Sequence, residues 1–291
     1  MGFTHWFLPL LCPSGGFRVI DVPQSEGDAL VWLYKHTNGP NWTNHTNWLQ
    51  THTVGNWFGI TVAGGHVTKM ELQGNGLNGN IAALPLGSLP SLIWLYLHNN
   101  AALSGNISGW TFPAPLVQLY LSNDAGITGD LSGWTLTPAL SIVNLAASGV
   151  SGNIGGWTLP ATLTQLYLNT TALSGNISGW TLPALMTVLY LHATTTSGTP
   201  DISGNTKMTA YWYQDCALTQ ANVNAILLSV YNRRMAFTFA TPVLNVGGTN
   251  TAPSGLYQAG CPPMTGKEYA FELVNDSCLD GFIKWAVTFT P

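Results

Sequence analysis

The sequence predicts a repeat solenoid built around a parallel β-sheet, with a helical cap at its N-terminal end and a β-rich cap at its C-terminal end. Three observations carry that expectation. Strand-like triplets recur as Met70-Glu71-Leu72, Leu95-Tyr96-Leu97, Leu119-Tyr120-Leu121, Val143-Asn144-Leu145, Leu166-Tyr167-Leu168 and Leu189-Tyr190-Leu191, and their last residues step by 25, 24, 24, 23 and 23. A second register is locked to the first: Leu103-Ser104-Gly105-Asn106-Ile107-Ser108-Gly109-Trp110 returns as Leu173 to Trp180, and variants end in Trp134 and Trp157. Within each triplet the apolar residues alternate with a polar or aromatic one, so Leu95 and Leu97 face one side of a strand and Tyr96 the other. One such coil cannot bury its apolar side alone; stacked coils share a continuous interior.

The pattern Leu92-Ile93-Trp94-Leu95-Tyr96-Leu97 followed by Leu103-Ser104-Gly105-Asn106-Ile107 resembles the leucine-rich repeat family over about residues 67–218. That resemblance implies a leucine-rich repeat solenoid with its parallel sheet on the concave face. Gly105, Gly129, Gly152 and Gly175 sit where turns are expected, and Pro113, Pro138, Pro160 and Pro183 follow the tryptophans, so the convex face is expected to hold short turns rather than helices. The family's asparagine ladder is expected as a mixture of Asn75, Ser148 and Thr171.

The caps follow in order. Ser25-Glu26-Gly27-Asp28 has capping-box character before an apolar run from Ala29 to Lys35, and Asn38-Gly39-Pro40 ends that helix. Asn41-Trp42 through Val62 is similar to the N-terminal cap of plant-type leucine-rich repeats. Gly55 and Val62 stand where that cap usually carries paired cysteines, so packing is expected to hold it. Tyr211-Trp212-Tyr213 reads as a last, degenerate strand, and Thr219 caps a helix through Val223, Ile226, Leu227 and Val230. Alternation then predicts strands at Tyr269-Ala270-Phe271-Glu272-Leu273-Val274 and Lys284-Trp285-Ala286-Val287-Thr288-Phe289. Leu244 to Asn250 and Trp285 to Thr288 look like the ends of repeat proteins of phage and environmental bacteria. The expected organisation is an N-terminal segment (1–24) that serves as an assembly contact, a cap (25–66), repeats (67–218) and a C-terminal helix with a β-rich cap (219–291).

Composition narrows the function. Of 291 residues 46% are apolar, and only 7% carry charge where about 25% is usual, so the surface is built from Asn, Thr, Ser, Gln and Gly. The net charge of −4, with Lys and Arg scattered, speaks against a nucleic-acid partner. No apolar run reaches the length of a spanning helix, which speaks against membrane insertion. Met1 to Trp6 lacks the basic start of a cleavable signal peptide. Cys12, Cys216, Cys261 and Cys278 lack metal-site spacing; Cys261 and Cys278 are the candidate disulfide in an oxidising compartment, with buried free thiols as the alternative.

No H-E-x-x-H, G-x-S-x-G or Walker-type loop is present, and the twelve carboxylates are dispersed, so no catalytic residue, metal ligand or cofactor site is expected and the chain reads as a non-enzyme. The informative constellation is the outward face of the strands. Trp94, Tyr96, His98, Gln118, Tyr120, Asn144, Gln165, Tyr167, Tyr190, His192 and Trp212 are expected on one concave surface. Tyrosine and tryptophan offer rigid contact area with a polar handle, suited to a protein or glycan ligand. The structural alternative is an aromatic ladder that only stabilises the sheet. His98 and His192, four coils or ~19 Å apart, are too distant to share a metal and read as surface residues. Trp110, Trp134, Trp157 and Trp180, on the convex segment, read as packing. The function expected is recognition or adhesion outside the cell, at a cell surface or on a virion; the alternative is a self-associating subunit of an extracellular filament or of a phage tail.

Overall fold

A computed structural model describes residues 17–237, 242–278 and 284–291. The segment 1–16, with Cys12 and most of the expected assembly contact, lies outside the described residues. The chain forms α1 (Gln24–His36), a hairpin of β1 (Ile60–Ala63) and β2 (His66–Glu71), and then short strands that alternate between two sheets. These are β3 (Asn78–Asn80), β4 (Trp94–Tyr96), β5 (Ala102–Asn106), β6 (Gln118–Tyr120), β7 (Gly126–Asp130), β8 (Ile142–Asn144), β9 (Gly149–Asn153), β10 (Gln165–Tyr167), β11 (Ala172–Asn176), β12 (Val188–Tyr190), β13 (Thr195–Ser197) and β14 (Ala210–Trp212). The C-terminal part adds α2 (Gln220–Arg233), β15 (Val243–Val246), α3 (Gly266–Asn275) and β16 (Ala286–Phe289).

The expected leucine-rich repeat solenoid is present. A ten-stranded sheet runs β1-β2-β4-β6-β8-β10-β12-β14-β15-β16, parallel from β2 onward. Each coil contributes one strand to this sheet, and the first and last residues of each triplet, from Met70 and Leu72 to Leu189 and Leu191, are completely buried. Backbone hydrogen bonds continue past the strands, as from Leu97 N to Tyr120 O (3.0 Å) and Asn99 N to Ser122 O (3.0 Å), so each coil is tied to the next.

The second register corrects one expectation. Instead of turns alone, the segments after the concave strands form a second parallel sheet, β3-β5-β7-β9-β11-β13. The glycines expected at turns lie inside these strands at positive φ, Gly152 at 113° among them. A Cβ on Gly152 would collide with the Asp130 carboxylate of the preceding coil, which accepts a hydrogen bond from Ser132 N (2.9 Å). Glycine is therefore required because the previous coil's capping side chain occupies its space. Among the described residues, no α-helix occupies the repeat segment between β2 and β14, where one short 3-10 turn stands at Leu86–Ser88.

The asparagine ladder is longer than expected, running through Asn75, Asn100, Asp124, Ser148, Thr171, Thr194, Cys216 and Asn250. Asn100 shows its logic: Oδ1 accepts from Asn75 N and Leu77 N, both 3.0 Å, while Nδ2 donates to Leu72 O (3.0 Å) and Leu97 O (2.6 Å). The hydroxyls do the donating half, as Ser148 to Leu145 O and Thr171 to Leu168 O, both 2.6 Å.

On the convex side Trp110, Trp134, Trp157 and Trp180 are buried, and the last three stack at 6.4 Å spacing with interplanar angles of 8° and 7°. Each indole N–H donates to a carbonyl of the coil before, Trp157 to Leu131 O at 3.0 Å for instance. They are packing residues.

Both caps depart from sequence detail. Helix α1 begins at Gln24 after Pro23 with no side-chain cap, because Glu26 is drawn inward: its carboxylate meets His66 Nδ1 (2.6 Å) and accepts from Val67 N (2.7 Å). Tyr34, Trp42, Trp48 and Trp57 pack ring to ring beneath it, in place of a disulfide. Thr219 caps α2 by accepting from Asn222 N. Tyr269 to Val274, expected as a strand, is helical. Thr265 and Glu268 form a capping box, and Ala270 and Leu273 are buried three residues apart, a helical spacing that a short apolar run conceals. The C-terminal cap is thus mixed rather than β-rich; the strand expected at Lys284 to Phe289 is present as β16, and it and β15 extend the sheet beyond β14, the last strand of the repeats. Cys261 and Cys278 are disulfide-bonded, whereas Cys216 is a buried free thiol within the ladder.

Candidate functional site

The outward residues of the ten-stranded sheet form two rows. Strand register aligns Lys69, Trp94, Gln118, Ile142, Gln165 and Val188 in one, and Glu71, Tyr96, Tyr120, Asn144, Tyr167, Tyr190 and Trp212 in the other. Alternation puts them on the concave face because the intervening leucines fill the interior. His98 and His192 follow β4 and β12 on the same face. From Trp94 to Asn245 the outward strand positions carry no Asp, Glu, Lys or Arg.

The rings fall into two groups. In the first, Trp94 stacks beside Tyr96 (5.7 Å, 7°), Tyr96 meets Tyr120 edge-on (4.9 Å, 75°), and His98 lies 5.3 Å from Tyr120. The Tyr96 hydroxyl donates to Gln118 Oε1. In the second, Tyr167 meets Tyr190 at 90° and 5.1 Å, Tyr190 stacks on Trp212 at 4.7 Å, and His192 lies 5.5 Å from Trp212. The Tyr167 hydroxyl donates to Gln165 Oε1 at 3.1 Å. Asn144 stands between the groups; its Oδ1 accepts from Ala146 N at 3.1 Å. The eleven residues singled out in the sequence therefore share one face, but the aromatic column is interrupted rather than continuous.

Partial burial shapes the electrostatics. Desolvation raises the hydroxyl pKa of Tyr120, Tyr167 and Tyr190, and pushes Tyr96 up to about 12, with Tyr120 and Glu71 adding to the effect. The same burial lowers His98 and His192, the latter against the opposing pull of Asp215, and so favours the neutral imidazole at both. Neither is a freely solvated surface histidine: each Nδ1 is buried and has no hydrogen-bond partner. From β4 onward the outward strand positions are uncharged, polar at their rims and aromatic along their centre, and Lys69 and Glu71 on β2 bring charge only to the first coil.

Lys69 is the contact that sequence reading passed over: its Nζ lies 3.4 Å from the Trp94 ring centroid. Extending the strand alignment back to β2 reveals it, since Lys69 and Trp94 are register partners. Among the described residues one group has metal-ligand proximity, Cys261, Glu272 and Cys278, whose ligand atoms lie within 4.8 Å of one another. Both sulfurs are spent in the disulfide, and Glu272 accepts from the Ser277 hydroxyl and from Cys278 N (3.1 Å), so the group braces the C-terminal cap.

No protein family matches the chain in sequence, and no curated protein matches it. Solved structures do. The Arabidopsis receptor kinase HAESA, in complex with the peptide hormone IDA and the co-receptor SERK1, aligns with a TM-score of 0.53 at 18% identity over 78% of this chain and 38% of that one. The PEPR1–AtPEP1 structure aligns at 0.49 and 18% over the same shares, and the BIR2 ectodomain from Arabidopsis thaliana at 0.32 and 18% over 62% of this chain and 84% of that one. This chain thus spans well under half the length of the HAESA and PEPR1 chains. The likeness to HAESA shows a shared leucine-rich repeat fold.

Proposed function

We propose that this chain is a non-enzymatic recognition or adhesion module whose concave sheet takes a protein or glycan ligand. One observation carries the reading: half-buried tyrosines and Trp212 stand in strand register, with His98 and His192 beside them, along a face whose outward strand positions from β4 onward carry no formal charge. Rigid aromatic area beside amide and hydroxyl groups binds with little loss of side-chain freedom. The same fold in HAESA is seen with a peptide hormone and a co-receptor protein. The Cys261–Cys278 disulfide supports an oxidising, extracellular or virion-surface setting. Among the described residues no helix is long and apolar enough to cross a membrane. The test is the double variant Tyr120→Ala/Tyr167→Ala, screened beside the wild type against extracellular protein and glycan libraries. Loss of capture with an unchanged circular dichroism spectrum supports the reading; a ligand captured equally by both proteins refutes it.

A second reading, a subunit of a self-assembling filament or phage tail, is favoured by the far end of the sheet. Among the described residues, strand β16 is paired on one side only, by β15. Its residues, Ala286-Val287-Thr288-Phe289, include none of the charges or prolines that protect edges. Leu228, Met235, Leu256, Tyr257 and Met264, all in the C-terminal part, are exposed. Light scattering decides it: wild-type assemblies that fall to monomers in Thr288→Lys, or on deletion of residues 1–17, support assembly, and a wild type at its 31.1 kDa monomer mass rejects it.

A further inference from the structure

The break in the aromatic column has the dimensions of a binding slot. Asn144 is the register partner of Tyr120 on one side and of Tyr167 on the other, so the two tyrosines stand two strand spacings apart, ~9.6 Å. Successive rings along the column, Tyr96 to Tyr120 and Tyr167 to Tyr190 to Trp212, lie 4.7 to 5.1 Å apart. The interval across Asn144 is therefore that of one missing ring. Tyr120 is braced from behind by Tyr96, and Tyr167 by Tyr190, which leaves the sides that flank Asn144 without an aromatic neighbour.

We infer that this slot binds one ring of a neutral saccharide chain, held between Tyr120 and Tyr167 above Asn144. The inference rests on the recognition reading and narrows its ligand class. A sugar ring pairs an apolar C–H face, which packs on tyrosine, with a rim of hydroxyls that need hydrogen-bond partners. Asn144 Nδ2 lies at the floor as a donor, since its Oδ1 is already engaged by Ala146 N. Gln118 and Gln165 flank the floor strand at the next outward position, their Oε1 atoms occupied by tyrosine hydroxyls and their amide NH2 groups left to donate. Asn169 extends the polar rim beyond β10.

Two features disfavour a peptide or a charged polymer. Strand β8 is paired on both sides, by β6 and β10, so an extended peptide finds no strand edge on which to add its backbone. The outward strand positions from β4 to β12 hold no charged side chain to meet a uronic acid, sulfate or phosphate.

The test uses the full chain and isothermal titration with cellohexaose, laminarihexaose, mannohexaose and xylohexaose, each to millimolar concentration. At least one is expected to bind the wild type. Tyr120→Ala and Tyr167→Ala should each weaken it about tenfold, the scale of one ring contact. Asn144→Tyr supplies the missing ring from the protein itself and should abolish binding while the chain stays folded by circular dichroism and thermal melting. Absence of heat with all four sugars overturns the inference, as does a sugar that binds Asn144→Tyr as tightly as wild type. A displayed peptide library run on the same proteins separates the two levels. Peptides captured through Tyr120 and Tyr167, with no sugar bound, retain the recognition reading and discard the saccharide. Capture of neither discards both.

Discussion

Asp124 occupies the asparagine ladder with the wrong chemistry for its position, and replacing it should stabilise the protein in a pH-dependent way. Its side chain is sealed, at 0% exposure; Oδ1 accepts from Asn100 N at 2.5 Å, and Oδ2 has no partner. Where Asn100 donates through Nδ2 to the carbonyls of Leu72 and Leu97, an ionised Asp124 can donate nothing to the corresponding carbonyls of Leu97 and Leu121. Burial accordingly raises its pKa from 3.8 to about 7, against the opposing pull of the Asn100 N–H. A carboxyl whose folded pKa exceeds its unfolded value favours folding less as pH rises. Below about pH 4 both states hold the proton; between 4 and 7 only the folded state does; above 7 the folded state carries a buried charge at full cost. At about 1.4 kcal/mol for each tenfold change in proton affinity, the upper bound is about 4 kcal/mol, and solvent screening brings the expected value to about 2 kcal/mol. Asp124→Asn removes that cost and restores the amide donor. Urea unfolding followed by tryptophan fluorescence should show the variant about 2 kcal/mol more stable at pH 8 and nearly equal to wild type at pH 4.5. A gain of the same size at both pH values, or a loss at pH 8, refutes the account.

Further expectations concern packing and the caps. Glu26→Ala leaves the Val67 N–H without its buried acceptor and should cost about 2 to 3 kcal/mol in urea unfolding, whereas His66→Ala, at a side chain 42% exposed, should cost under about 1 kcal/mol. Gly152→Ala sets a Cβ against Asp130 at φ 113° and should lower stability by more than about 2 kcal/mol; Gly109→Ala, with nothing within 4 Å of the added carbon, should stay within about 0.5 kcal/mol of wild type. Trp157→Ala empties the place between Trp134 and Trp180 and should cost about 3 to 5 kcal/mol. Asn144→Tyr, which joins the two concave ring groups, should raise stability by about 0.5 to 1 kcal/mol, measured as a higher thermal midpoint.

Periodicity by itself determined the solenoid, the strand of each coil and the membership of the concave face, because a two-residue alternation repeated every 23 to 25 residues admits one way to bury every leucine. The burial of the convex tryptophans was legible for the same reason. What stayed hidden depended on neighbours in adjacent coils. Gly152 reads as a turn residue until Asp130 of the coil before is placed against it; Tyr269 to Val274 alternates like a strand until Ala270 and Leu273 find the interior together. Glu26 reads as a helix cap until β2 brings His66 and Val67 to it. The division of the aromatic column was written in the sequence as a single Asn144, yet its meaning came only from stacking. Register sets Tyr120 and Tyr167 on either side of that residue, and contact across coils is a property of the tertiary structure that local pattern does not encode.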